Sequence, residues 1–342
     1  MDALLVCSAA NRYYLSGFRG SAGCLMINGD LQYLITDSRY IEQATEESPT
    51  FQVIKARRAV DKVGEIGRDR RWKRIGIEAH HMTVGTYHYL QQYYPDMEWI
   101  PLRGCVEQQR QIKDDTEVKF LQHAAEIADR ALAAIIDQIR PGISEKLLAR
   151  ALQHEMESQG AAELSFPTIV ASGPRASLPH AQVTDRRFAE DDWVTIDFGA
   201  AYEGYHSDET VTIPVTKQAR SRQLQTMYDI VYQAQKAGID SLRPGILTSQ
   251  VDEAVRRVII EAGYGEYFGH GTGHGVGLDV HEDPFIGPNP ERDIPLQAGM
   301  VITIEPGIYL PHVGGVRLED MFYITAQGSV RLTSWDKRLM NT

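Results

Sequence analysis

Cysteine is scarce in this 342-residue chain: Cys7, Cys24 and Cys105 are three in number and far apart. That count excludes a disulfide framework and a close-spaced zinc motif, and it fits free thiols in a reducing cytosol. Long hydrophobic runs are also absent. No stretch approaches the ~20 apolar residues of a membrane span. Met1 to Ala10 has no basic leader ahead of its apolar run, so neither a membrane anchor nor a secretory signal is expected. Excess positive charge is missing too. Lys and Arg number 35 against 46 Asp and Glu, a formal net charge of −11, which excludes general attraction to nucleic acid or anionic membrane. The small basic run Arg68, Arg70, Arg71, Lys73, Arg74 is interrupted by Asp69 and reads as a solvated face. A cytoplasmic protein with no nucleic-acid or membrane partner is expected.

What is present is ordinary globular composition, 43% hydrophobic and 24% charged, over a length that suits two domains. Ala3 to Cys7 reads as a buried strand. Cys24–Ile27 and Tyr33–Ile35, split by Asn28-Gly29-Asp30, read as a hairpin. Ile75 to Ile77 reads as a short strand and Thr83 to Tyr94 as a helix stopped by Pro95. The first 111 residues therefore form a small α/β domain, and residues 112–342 a second domain. The second opens with a long helix, because Val118, Leu121, Ala125, Ala128, Leu132, Ile135 and Ile139 recur at steps of three and four. Asp114, Asp115 or Thr116 can cap its start, and Pro141-Gly142 ends it.

The second domain repeats itself. Ile139-Arg140-Pro141-Gly142-Ile143 is echoed by Leu242-Arg243-Pro244-Gly245-Ile246, and Val194-Thr195-Ile196-Asp197-Phe198-Gly199 by Ile302-Thr303-Ile304-Glu305-Pro306-Gly307. The echoes keep their order, which argues for two similar halves of helix, helix and sheet. The repeat sets an acid at one point of each half, Asp197 and Glu305. Alternation puts each on the face opposite the apolar Val194 and Ile196, or Ile302 and Ile304. A following extended segment carries a second acid, Asp208 or Glu319, with Thr210 and Arg317 on the same face as their respective acids. Four carboxylates gathered in one sheet interior cannot all stay ionised without a counter-charge, and two divalent cations would neutralise them. Oxygen-rich ligation with one imidazole suits manganese, iron, cobalt or zinc. The imidazole candidates lie in Phe268 to Gly277, a glycine-rich run holding His270 and His274. It lacks a phosphate-loop lysine and the strand–helix order of a dinucleotide fingerprint.

At these residues the sequence resembles the pita-bread metallopeptidases: Xaa-Pro aminopeptidases, prolidases and methionine aminopeptidases. The resemblance runs through Ser165 to Gly173, Leu178-Pro179-His180, Asp197-Phe198-Gly199-Ala200, Ser207-Asp208, His270 to His274, Val280-His281-Glu282, Glu305-Pro306-Gly307 and Gly315 to Asp320. Asn11 to Gly17 and Thr36 to Tyr40 are similar to the creatinase-like N-terminal domain of short bacterial Xaa-Pro aminopeptidases. The resemblance implies an α+β chain with a pita-bread catalytic domain. It also implies five metal ligands, Asp197, Asp208, His274, Glu305 and Glu319, with Asp208 and Glu319 shared between two divalent ions. Manganese is the first choice of metal, with cobalt, zinc or iron as alternatives.

The implied reaction is removal of an N-terminal residue that precedes proline. Glu305 would act as general base, and His180 and His281 would bind substrate and stabilise the tetrahedral intermediate. His270 would line the pocket beyond the cut, and Arg317 would orient Glu319 or Asp208. The alternatives are a prolidase restricted to Xaa-Pro dipeptides, with Arg175 or a partner subunit's Arg12 meeting the substrate carboxylate, and a non-catalytic peptide-binding protein. The resemblance further implies a homodimer. Two departures from the family stand out: Glu209 and Val211 occupy positions where the family reads Asp-x-Thr-Arg-Thr, and the helix that usually precedes the strand matching Ala3 to Val6 is missing. Val211 should face away from the ligands, whereas Glu209 should add charge near them.

Overall fold

The computed structural model describes residues 1–217 and 221–338. The chain divides into two compact units, Met1–Arg110 and Gln111–Thr342. The first is built on a six-stranded sheet in the spatial order Gln52–Lys55, Gln32–Thr36, Cys24–Ile27, Ala3–Val6, Arg74–Glu78, Glu98–Leu102. Its central strands are apolar on both faces because both are covered. Leu5, Met26 and Ile35 pack with Val63, Ile75 and Leu90 on one side, and Val6, Leu25 and Leu34 pack with Phe18 and Ala44 on the other. The expected hairpin is there. The Asn28 side chain accepts from the Asp30 and Leu31 amides (3.1 and 2.8 Å), closing the turn. Cys7 and Cys24 sit side by side as free thiols, a proximity that their sequence spacing does not suggest.

The second unit contains the duplication. Its first half runs helix Asp115–Ile135, helix Glu145–Ser158, then an antiparallel sheet with Trp193–Phe198 between Ile169–Ser172 and Glu209–Pro214. The second half runs helix Arg222–Ser241, helix Thr248–Glu261, then a five-stranded sheet in the order Glu282–Ile286, Gly273–Gly275, Val301–Ile304, Asp320–Thr325, Gly328–Arg331. Asp114 starts the first helix, accepting from the Thr116 and Glu117 amides, while Glu117 reaches back to the Asp114 amide. That helix gives way to a single 3₁₀ turn at Ile136–Gln138, so Ile139 lies just beyond the stripe predicted for it. The Pro-Gly echo has a backbone cause. Gly142 and Gly245 both adopt left-handed conformations (φ +90° and +87°) that a side chain disfavours, and each is the second residue of the Pro-Gly turn between paired helices.

Alternation then sorts the strand residues. Val194, Ile196 and Phe198 face the first helix pair, packing with Leu132, Leu148 and Leu152. Ile302 and Ile304 face the second pair, packing with Val231, Val255 and Ile259. The opposite faces turn inward and carry the hydroxyls and acids. The two half-sheets are stitched by an antiparallel bridge between Thr210 and Glu319, whose amide donates to the Thr210 carbonyl at 3.0 Å. Among the described residues no helix is long and apolar enough to cross a membrane.

Candidate metal centre

The inward acids converge. Asp197 comes from the middle strand of the first half, Asp208 from the residue before Glu209–Pro214, Glu305 from the residue after Val301–Ile304, and Glu319 from the turn into Asp320–Thr325. His274 lies in the strand Gly273–Gly275. Ligand atoms of Asp197, Asp208 and Glu319 lie within 4.8 Å of one another, as do those of His274, Glu305 and Glu319, and those of Asp208, His274 and His281. All five expected ligands are thus brought together. Glu319, Asp208 and His274 each belong to two groups, so the groups overlap, and the two carboxylates among the three are able to serve neighbouring cation positions.

The electrostatics say what such a cluster lacks. Burial pushes the Asp208 and Glu319 carboxyls well above the usual carboxylate range, with the Glu319 charge adding to the first and the Glu305 charge to the second. Burial likewise raises Glu305 to about 8. Asp197 Oδ1 is buried with no hydrogen-bond partner. Burial lowers His274 to about 4, helped by the neighbouring His281, so its ring is neutral at neutral pH. The His274 Nδ1–H donates to the Gly275 carbonyl (3.0 Å), which leaves the Nε2 lone pair aimed between Asp208 and Glu305, each 3.6 Å away. Carboxylates kept from ionising by burial and by neighbouring charge, an orphaned oxygen and a neutral imidazole are together a donor set suited to divalent metal.

Arg317, expected to orient Glu319 or Asp208, reaches Glu319 through an intermediary and bonds a third acid directly. It contacts neither Glu319 nor Asp208 directly. Its Nη2 donates to Asp197 Oδ2 at 2.6 Å, and its Nε donates to Thr210 Oγ1 at 3.1 Å. Thr210 in turn donates to Glu319 Oε2 at 2.7 Å, so the guanidinium reaches Glu319 through a hydroxyl. The reason is the crossing of the halves: the Arg317 backbone bonds Thr212 of the first half (3.1 Å), which aims its side chain at Asp197.

Tyr309 is a site residue that the sequence reading missed. Its hydroxyl accepts from Arg317 Nη1 (3.0 Å) and donates to His270 Nε2 (2.8 Å), whose Nδ1–H donates to the Gly271 carbonyl (2.7 Å). Burial holds His270 down to about 4, consistent with a neutral ring accepting from the phenol. Tyr309 lies two positions along the strand Gly307–Leu310, which begins two residues after Glu305. Gly307 is required there, because a Cβ would meet the Tyr309 hydroxyl at 2.5 Å.

The remaining expected residues fall as follows. The His281 ring lies 4.2 Å from that of His274. His180 is exposed and close enough to His270 and His281 to oppose their protonation, and Arg317 anchors its loop through the Pro179 carbonyl (3.3 Å). Arg175 and Arg12 both make bonds within the chain. Arg175 is committed to Glu145 (3.2 Å) and the Gln182 carbonyl (2.5 Å). Arg12 is buried and donates to the carbonyls of Cys7, Gly20 and Gly23. Val211 does face away, into the core beside Val194 and Phe188. Glu209 faces away as well, so its charge does not enter the site.

Two matched half-sheets that gather acids and a neutral imidazole at their junction define a protein built to hold divalent metal. The chain belongs to metallopeptidase family M24, whose profile matches residues 119–326, and a creatinase/prolidase N-terminal domain profile matches residues 1–112. It is 39% identical over 343 residues to the Xaa-Pro dipeptidase of Pyrococcus horikoshii, covering 99% of this chain and 95% of that one. Its structure is similar to the Xaa-Pro dipeptidase from Bacillus anthracis (TM-score 0.94, 39% identity, 99% and 94% coverage). It is also similar to the X-Pro aminopeptidase from Thermotoga maritima (TM-score 0.90, 35% identity, 99% and 97% coverage). The pita-bread fold and a metal-dependent peptidase activity follow from this membership.

Proposed function

We propose that the protein hydrolyses the peptide bond before proline in Xaa-Pro dipeptides, using two divalent ions held by Asp197, Asp208, His274, Glu305 and Glu319. The observation that carries this reading is the overlap of ligand groups at Glu319 and Asp208, which calls for two adjacent cations. Relatives named as Xaa-Pro dipeptidases shift the weight from longer peptides to dipeptides. The aminopeptidase reading stands second, supported by the Thermotoga structure.

When bound, paired divalent ions supply a hydroxide-like water and polarise a carbonyl. The protein's residues do the rest. Glu305, a carboxylate beside the paired positions and 3.6 Å from His274 Nε2, takes the proton of the attacking water. His281 and His180, at the exposed edge of the cluster, hydrogen-bond the developing oxyanion and the departing nitrogen. His270, fixed by Tyr309, lines the proline side. Proline suits such a site, because its nitrogen has no hydrogen for a backbone-gripping peptidase to hold.

The test is a digest with manganese, comparing Xaa-Pro with Xaa-Pro-Xaa peptides and with matched peptides lacking proline. Faster turnover of the tripeptides would replace the dipeptidase reading with the aminopeptidase one. Purified protein that carries no metal and turns over nothing after manganese addition would leave only a peptide-binding role.

A further inference from the structure

Behind the inward acids lies a second charged layer that metal ligation does not explain. Asp208 and Glu319 are each followed directly by another acid, Glu209 and Asp320, and alternation turns these away from the site. Glu209 is wholly buried and Asp320 nearly so. One ammonium meets both. Lys337 Nζ pairs with Glu209 Oε1 and lies 3.4 Å from Asp320 Oδ1, with only 3% of its side chain exposed.

The segment that delivers this lysine is firmly held. Asp129 accepts from the Ser334 and Trp335 amides (2.7 and 2.9 Å), and the Tyr228 hydroxyl donates to the Lys337 carbonyl (2.5 Å). Asp320 is fixed independently by Arg331 (2.5 Å), Thr333 (2.6 Å) and Gln235 (3.0 Å). Burying a lysine is expensive, and a pair so desolvated is weak evidence of stabilisation for its own sake. Its position suggests another role. Glu209 belongs to the first half-sheet and Asp320 to the second, so the ammonium ties the halves together from the rear. The Thr210–Glu319 bridge ties the same two chain segments from the front.

We propose that Lys337 is a positioning residue for the metal site: by joining Glu209 to Asp320 it fixes the spacing of Asp208 and Glu319 and so sets the affinity for the ion they share. The proposal rests on the reading of Asp208 and Glu319 as shared ligands. Groups bonded directly to a ligand typically change metal affinity by about 10–100-fold when removed, and Lys337, which acts one residue further back through Glu209 and Asp320, is expected at the lower end of that range.

The experiment is a titration of metal-stripped protein with manganese, reading free ion by electron paramagnetic resonance at 25 °C, alongside thermal unfolding. Lys337→Met strands Glu209 and is expected to lower the midpoint of unfolding and weaken the tighter manganese site by about tenfold or more. Glu209→Gln combined with Lys337→Met removes the stranded charge with its partner, so it keeps the fold testable even where the single variant does not fold. The double variant should regain unfolding temperature while manganese affinity stays about tenfold weak. Lys337→Arg, which preserves the cation, should retain most of the affinity. A double variant that binds manganese as tightly as the unaltered protein overturns the proposal, because the lysine is then only structural. Asp208→Ala separates the two claims: unchanged manganese binding there removes the ligand reading itself.

Discussion

Removing metal should make this protein less stable as pH rises from 6.5 to 8, the reverse of its behaviour with manganese bound. Glu305 titrates near 4.5 when unfolded and near 8 in the folded, metal-free cluster. Between those values the native state holds a proton that the unfolded state has released, so stability drops by about 1.4 kcal/mol per pH unit for this group. Asp208 and Glu319, also raised, act in the same direction. His270 and His274 act oppositely. Their values are lowered from 6.5 to about 4, and His206 and His281 are lowered too, so these rings add stability as pH climbs through 6.5 and their contribution fades only by about pH 7.5. From 6.5 to 8 the histidines return about 0.4 kcal/mol each, whereas Glu305 alone costs about 2 kcal/mol and Asp208 and Glu319 add to that loss, so the net slope is set by the acids and is steepest against folding above about pH 7.5. With manganese present the acids bind as carboxylates, the metal displaces their protons, and stability should rise with pH. Urea denaturation in chelator and in excess manganese, at half-unit pH steps, measures both slopes. A metal-free midpoint that is flat or rising above about pH 7.5 would refute the reasoning, since it would mean the acids ionise without mutual penalty.

Asp208→Ala should abolish both manganese loading and turnover, read by metal analysis and a proline-release assay. Tyr309→Phe removes the hydroxyl between Arg317 and His270 and should lower kcat by about tenfold with little change in unfolding temperature, in line with losses seen when groups orienting a site are removed. Arg317→Lys keeps charge but cannot reach Asp197, Thr210 and Tyr309 at once, so kcat/KM should fall about 10–100-fold while the fold persists. The homodimer implied by the family resemblance is checked by light scattering at working concentration, where a monomer would refute it.

The repeat made the acids legible. Asp197 and Glu305 sit at matched points of matched segments, and a period of two is enough to turn them from the helices that cover Val194 and Ile302. Pairings across the halves were not legible in the same way. Arg317 was expected at Glu319 or Asp208, two candidates within reach along the sequence, but the strand carrying it crosses to Thr212 and delivers it to Asp197. Glu209 stood out as unusual, yet its partner Lys337 lies 128 residues away, and no spacing rule connects them. Tyr309 follows Glu305 by four residues across a break in the strand, and only the closing of the halves sets its hydroxyl between Arg317 and His270.

Local chemistry in the chain determined the helix starts, the left-handed turns at Gly142 and Gly245, the apolar outer faces and the set of inward acids. Each depends on neighbours a few residues apart, where covalent geometry limits the choices. Which acid meets the guanidinium, which oxygen is left without a partner and what supports the cluster from behind were decided only when the two half-sheets closed on each other. Those outcomes depend on distances between segments more than a hundred residues apart, and packing sets them.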